Sequence, residues 1–147
     1  MGAEYLNNKV FEGIIKKFLK AKRNIQRNRR EYEQAQRELT DAFYLLAENI
    51  IRAFNFQLID RDDALQEGVM ICFEKIDRFR PEKGKAFNYM TTCCLNHYRQ
   101  LYRTAKNYIE LKRRYQDFIA KKQLEIFTSV AHHAHGFNYK ARRVGNS

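Results

Sequence analysis

A single proline, Pro81, and no glycine between Gly13 and Gly68 leave this chain almost without residues that stop a helix. Proline lacks the amide hydrogen a helix needs, and glycine costs backbone entropy, so turns draw on both. Their scarcity favours long helices and argues against a sheet. No internal repeat or low-complexity tract interrupts the pattern. At 147 residues the chain is about the size of one domain. The expected fold is an all-α bundle.

Periodicity places the helices. The first begins near Asn8, with Phe11, Ile14, Ile15 and Phe18 on one face, and runs into a polar stretch, 20–38, with too few apolar residues for deep burial. Thr40 or Asp41 is the expected cap of the next helix, in which Phe43, Leu46, Ala47, Ile50, Ile51 and Phe54 recur at amphipathic spacing. Residues 60–63 offer another acidic cap, opening a helix with Leu65, Val69, Cys72, Phe73 and Ile76 inward. The run Arg80-Pro81-Glu82-Lys83-Gly84 ends it. A fourth helix starts near Ala86, with Phe87, Met90, Cys94, Tyr98 and Leu101 on one side, and continues through Tyr108, Leu111, Tyr115 and Phe118. After residue 129 the period is lost. The expected organisation is a basic helical extension over 1–40, a helical domain over 41–125 and a flexible basic tail over 126–147.

Charge narrows the partners. Twenty-eight Lys and Arg against 17 acids give a net charge of +11, which favours a polyanion such as DNA or RNA. No apolar run approaches the ~18 residues of a membrane span, and Lys9, Glu12, Lys16 and Lys17 break any signal-peptide core. Cys72, Cys93 and Cys94 follow no zinc spacing and read as free thiols in a reducing cytoplasm.

No constellation for catalysis is found: the chain lacks a Gly-rich phosphate loop, HExxH and GxSxG. Cys94 reads as core and Cys93 as a partly exposed thiol. The cluster His132, His133 and His135 has no fixed surroundings to define a metal site. Asp60, Asp62 and Asp63 are accounted for by helix capping. No cofactor and no enzymatic activity are expected.

Nucleic-acid binding has more support. Between 83 and 106 the chain interleaves Lys83, Lys85, Arg99, Arg103 and Lys106 with Phe87, Tyr89, Tyr98 and Tyr102 and with Asn88, Asn96 and Gln100. Cations neutralise phosphates, aromatic faces stack on bases and amides read base edges. Phe87, Tyr98 and Leu101 fit a core stripe, whereas Tyr89, Asn96 and Arg99 fall off it.

The run DALQEGVMICFEKIDRFRPEKGKAFNYMTTCCLNHYRQLYR, 63–103, resembles region 2 of bacterial sigma-70-family factors. Asp63, Gln66, Glu67, Gly68, Asp77, Phe79, Gly84, Phe87 and Thr92 stand at matching positions without gaps. The stretches YLNNK at 5–9 and AENIIRAFNF at 47–56 extend the resemblance to the T4-type bacteriophage late-transcription sigma factors. The resemblance implies an all-α sigma region 2-like bundle that docks on the clamp coiled coil of the largest RNA polymerase subunit through Asp63, Gln66, Glu67, Val69 and Phe73. It also implies capture of the melted non-template strand of a −10-like A/T-rich element, an adenine being flipped from the stack. Position matching nominates Phe79, Lys83, Lys85, Phe87, Asn88, Tyr89, Met90, Cys93, Cys94, His97 and Gln100 for that surface. Asn96, Arg99, Arg103 and Lys106 join it from the charge pattern.

Two departures stand out. Met90 occupies the place of the stacking tyrosine of primary sigma factors, with Tyr89 one residue earlier, and Cys93-Cys94 replace their Trp-Trp pair. The chain shows no helix-turn-helix after Phe118, and the tail HGFNYKARRVGNS carries no acidic-hydrophobic clamp motif. The expected partners are therefore RNA polymerase core, promoter DNA and, as the resemblance allows, a phage coactivator, with the free factor a monomer. Three rival readings are a helical nucleic-acid-binding accessory protein, a coiled-coil protein built on 20–38, which lacks sustained apolar heptad positions, and, last, an enzyme.

Overall fold

The computed structural model describes residues 7–144, with side chains through Ala134. It is all-α, as the helix-stop scarcity requires. The helices are α1 (Asn8–Arg23), α2 (Arg29–Ala53), α3 (Arg61–Lys75) and α4 (Ala86–Val144), with two 3₁₀ turns, Ile76–Arg78 and Pro81–Lys83, between α3 and α4. The chain divides into two units, 1–105 and 106–147.

Asn7 opens α1, its side chain accepting from the Lys9 amide at 2.8 Å. Lys20, Lys22 and Arg23 lie in the last turn, where cations suit the negative end of the helix dipole. The expected single helix from Asn8 into the polar stretch is in fact two. Asn24 and Asn28 break it, and Asn28 caps α2 by accepting from the Glu31 amide at 3.1 Å. Capping by Thr40 or Asp41 is thereby corrected. Thr40 sits inside α2 with its hydroxyl donated to the Gln36 carbonyl at 2.7 Å.

The first unit has one core. Phe11, Ile15 and Phe18 of α1 meet Ala35, Leu39, Phe43, Leu46 and Ile50 of α2, with Ala64, Ile71 and Cys72 of α3 and Met90, Cys94 and Tyr98 of α4. Residues 1–40 are therefore no extension in their described part, because α1 and the first half of α2 contribute buried side chains to that core. Edge-on ring pairs tie it together: Phe43 to Phe73 at 5.0 Å, Phe11 to Phe43 and Phe18 to Phe73 each at 5.9 Å.

Asp60 caps α3 as expected, accepting from the Asp62 and Asp63 amides at 2.9 and 3.2 Å. Gly68 in the middle of α3 sits where a side chain would strike the Tyr98 hydroxyl, and that hydroxyl donates to the Ala64 carbonyl at 2.8 Å. The helix break at 80–84 appears as the second 3₁₀ turn, closed by Gly84 with φ +144°, a backbone angle that glycine tolerates.

In the second unit the helix continues to Val144, through residues expected to form a flexible basic tail. Loss of apolar period after 129 does not mark the end of the helix, and the buried face is lost well before it: Tyr108, Leu111, Tyr115 and Phe118 are exposed although they keep the period, as are all side chains from Lys121 through Ala134. Tyr5, the side chain of His135 and residues 145–147 lie outside the described part. Among the described residues, no helix is long and apolar enough to cross a membrane.

Candidate nucleic-acid interface

The turn between α3 and α4 and the first turns of α4 frame a cavity of about 320 Å³, lined by Arg78, Phe79, Arg80, Lys83, Gly84, Lys85, Asn88, Tyr89 and Thr92. Its size is at the low end of small-ligand pockets, which run ~300–1,000 Å³. Four cations, Arg78, Arg80, Lys83 and Lys85, stand within eight residues of chain around it. They suit phosphate oxygens in number and chemistry.

The aromatic wall is built from the core outward. Phe79 is buried and tilts against Tyr89, with ring centroids 5.7 Å apart. Tyr89 is half-buried, and its hydroxyl donates to the Lys75 carbonyl at 3.0 Å. That bond uses the polar tip and fixes the ring. Burial, with Cys93 adding to it, raises the Tyr89 phenol above its ordinary value, so the hydroxyl stays protonated as a donor. Asn88 is exposed, and its carbonyl accepts from the Thr92 hydroxyl at 2.8 Å.

The start of α4 is held by α1. Glu12 Oε1 accepts from the Ala86 amide at 3.1 Å, Asn8 Oδ1 accepts from the Phe87 amide at 3.0 Å, and Asn8 Nδ2 donates to Glu12 at 3.2 Å. A helix start leaves four amides without internal partners, and here two are satisfied from a different helix. The Ala86 bond, followed by that from Asn8, holds the Glu12 carboxyl below its usual range despite partial burial. The cationic cavity is thus positioned by residues some seventy positions earlier in the chain, a pairing no local signal in the sequence announces.

The nominated residues separate by the geometry of α4. Ala86, Met90, Cys94 and Tyr98, spaced by four, face the core and are fully buried. Met90 and Cys94 therefore do not reach a ligand, and Phe79 contributes as the cavity's inner wall. Phe87, expected in the core, is 37 % exposed instead, because the stripe begins at Ala86. Asn88, Asn96, Arg99, Gln100 and Arg103 are exposed, Arg99 donating to Asn96 at 3.3 Å. Cys93 is half-buried, and burial pushes its thiol up. Lys106 is exposed and belongs to the second unit. Arg78, Arg80 and Thr92 were not among the nominated residues. The basic Arg78-Phe79-Arg80 triplet is the sequence signal that would have found the two arginines.

On α3, Asp63 and Gln66 are exposed and Glu67 is half-buried. Met70, 64 % exposed, and Glu74 continue the same face at i+7 and i+11 from Asp63. Phe73 departs from the nominated set, since its ring packs between Phe43 and Phe18. Val69 packs half-buried beside the core. Glu67 also reaches α4, where its carboxylate lies 2.7 Å from His97 Nε2. The acidic α3 face and the α4 surface thus share a side-chain contact.

Residues 39–107 match the family model described as Sigma-70 region 2. No curated protein and no solved structure matches the chain significantly. The matched segment contains α3, both 3₁₀ turns, the cavity and the first turns of α4; α1 and the first ten residues of α2 lie before it.

Proposed function

We propose, from the Sigma-70 region 2 match over 39–107, that this chain is a minimal sigma factor. It binds a multisubunit RNA polymerase core and directs it to promoters whose −10-like A/T-rich element it captures as single strand. The observation that carries the reading is the coincidence of that match with a cation-rimmed, aromatic-walled cavity at the α3–α4 turn. Arg78, Arg80, Lys83 and Lys85 hold the strand's phosphates. Asn88 and Thr92 meet base edges, and the Phe79–Tyr89 pair supplies the apolar wall against which an unstacked base rests. The polymerase performs nucleotide transfer; this chain supplies specificity and strand capture.

Core docking falls to the acidic face Asp63, Gln66, Glu67, Met70 and Glu74, which on a chain of net charge +11 complements a basic helical pair such as the polymerase clamp coiled coil. Phage late promoters are the finer assignment, supported by the resemblance of 5–9 and 47–56 to the T4-type factors. With Cys93 and Cys94 in place of an indole pair, and Cys94 buried, duplex opening draws on the cationic rim, on template supercoiling or on a coactivator.

Transcription by purified bacterial core polymerase on supercoiled templates tests the proposal. Initiation that needs both this protein and an intact A/T-rich element supports it. Absence of core binding would remove it in favour of a nucleic-acid-binding accessory role.

A further inference from the structure

The corner between α1 and α2 plays no part in the cavity or the docking face, yet it carries a dense run of cations. Residues 20–30 hold Lys20, Lys22, Arg23, Arg27, Arg29 and Arg30 and no acid, and all six side chains are exposed. Lys22 is paired with Asp77 and Arg29 with Glu33. Among the described residues, Lys20, Arg23, Arg27 and Arg30 form no ion pair.

The corner is also firmly shaped. The Arg27 and Asn28 amides donate to the Asn24 carbonyl at 2.9 and 3.1 Å, and Asn28 caps α2. Holding this many like charges together costs free energy through mutual repulsion, which a polyanion relieves. The intervening side chains Asn24, Gln26 and Asn28 are polar, and Ile25 is the one apolar residue that reaches the surface there, at 39 % exposure. A protein partner would be met by an apolar centre with a charged rim. This surface has the opposite make-up, that of a phosphate-backbone contact.

Its place relative to the cavity supports the same partner. Lys22 Nζ lies 3.2 Å from both carboxylate oxygens of Asp77. Asp77 adjoins Arg78 in the cavity wall, and its carbonyl accepts from Arg80 at 3.1 Å. The corner is therefore joined to the cavity wall through the Lys22–Asp77 ion pair.

We infer that the α1–α2 corner binds the phosphate backbone of duplex DNA adjoining the single strand held in the cavity, anchoring the double-stranded side of the fork. The inference rests on the proposed function, and the two can fail separately. The test uses the complex of this protein with core polymerase. One probe is a single-stranded oligonucleotide bearing the A/T-rich element, and the other is the same strand joined to upstream duplex. The triple variant Arg23→Gln, Arg27→Gln, Arg30→Gln should bind the forked probe at least tenfold more weakly. Its affinity for the single strand should change less than twofold, and the salt dependence on the fork should flatten by about 0.9 for each phosphate no longer neutralised. The triple Arg→Lys variant, which keeps the charge, should recover most of the affinity. Equal weakening on both probes, unchanged fork binding, or weakened core binding would overturn the inference, the last by making the corner a polymerase contact. A wild-type complex that ignores the single strand would instead remove the function on which the inference depends.

Discussion

Gly68 is the position where a one-carbon change tests the packing account most directly. Alanine in a helix interior is favoured over glycine by about 1 kcal/mol, so propensity alone predicts that Gly68→Ala stabilises the protein. The tertiary structure predicts the reverse. The new methyl would sit 3.0 Å from Ala47 Cβ and would collide with the Tyr98 hydroxyl. Tyr98 is fully buried, so it cannot swing into solvent. Displacing its ring breaks the 2.8 Å bond to the Ala64 carbonyl and leaves buried polar groups unpaired. Such a loss costs about 1–3 kcal/mol, and forced overpacking of a core costs a similar amount. After the propensity gain, we expect a net destabilisation of about 2 kcal/mol, or roughly 8–16 °C in Tm for a unit of this size. The chain has no tryptophan, so urea unfolding is best followed by helix circular dichroism. Tyr98→Phe removes the colliding oxygen, so Gly68→Ala should cost about 1 kcal/mol less in that background than in the wild type. A raised midpoint for Gly68→Ala alone, or strict additivity in the double variant, would refute the reasoning.

The remaining expectations concern the helix cap, the thiols and the docking face. Glu12 has its folded pKa held below the ordinary 4.5, so its stabilising contribution is complete above that value and is lost as pH falls through the lower folded one. Glu12→Gln should therefore lower stability at neutral pH and flatten the acid limb of the stability curve, read by thermal melts at stepped pH. Asn8→Ala removes the partner of the Phe87 amide and should cost about 1 kcal/mol, measured by urea unfolding. In the native protein at mildly alkaline pH, a thiol reagent should modify Cys93 slowly and alone. Cys72 and Cys94 are fully buried with their sulfurs 3.4 Å apart, so they should react only after denaturation, as counted by mass spectrometry. Glu67→Lys should weaken core polymerase binding about tenfold by reversing a docking charge. Glu67→Gln, which can still bond His97, should weaken it less, and equal pull-down by all three forms would count against this face.

Much of this was legible in the sequence because its causes are local. The near-absence of proline and glycine dictates helices, and four-residue spacing of Phe11, Ile15 and of Met90, Cys94, Tyr98 marks buried faces. Asp60 announces the start of α3, and Pro81 with Gly84 announces the break before α4. The basic density around 78–85 is likewise a property of composition. What sequence spacing could not supply was the direction in which a face points once several helices compete for one core. Phe87 turned outward because the stripe on α4 starts at Ala86, whereas Phe73, inward by its spacing and nominated for docking only by the resemblance, packs against Phe18 and Phe43. The N-terminal residues read as an extension because their polarity dominates over 20–38, while the few apolar ones, Ala35 and Leu39, suffice to bury that side of α2. Only the tertiary structure brought Asn8 and Glu12 to the amides of Ala86 and Phe87. Hydrogen-bond partners so far apart in the chain are selected by the packing of whole helices, and that packing minimises the exposed apolar area of all of them together.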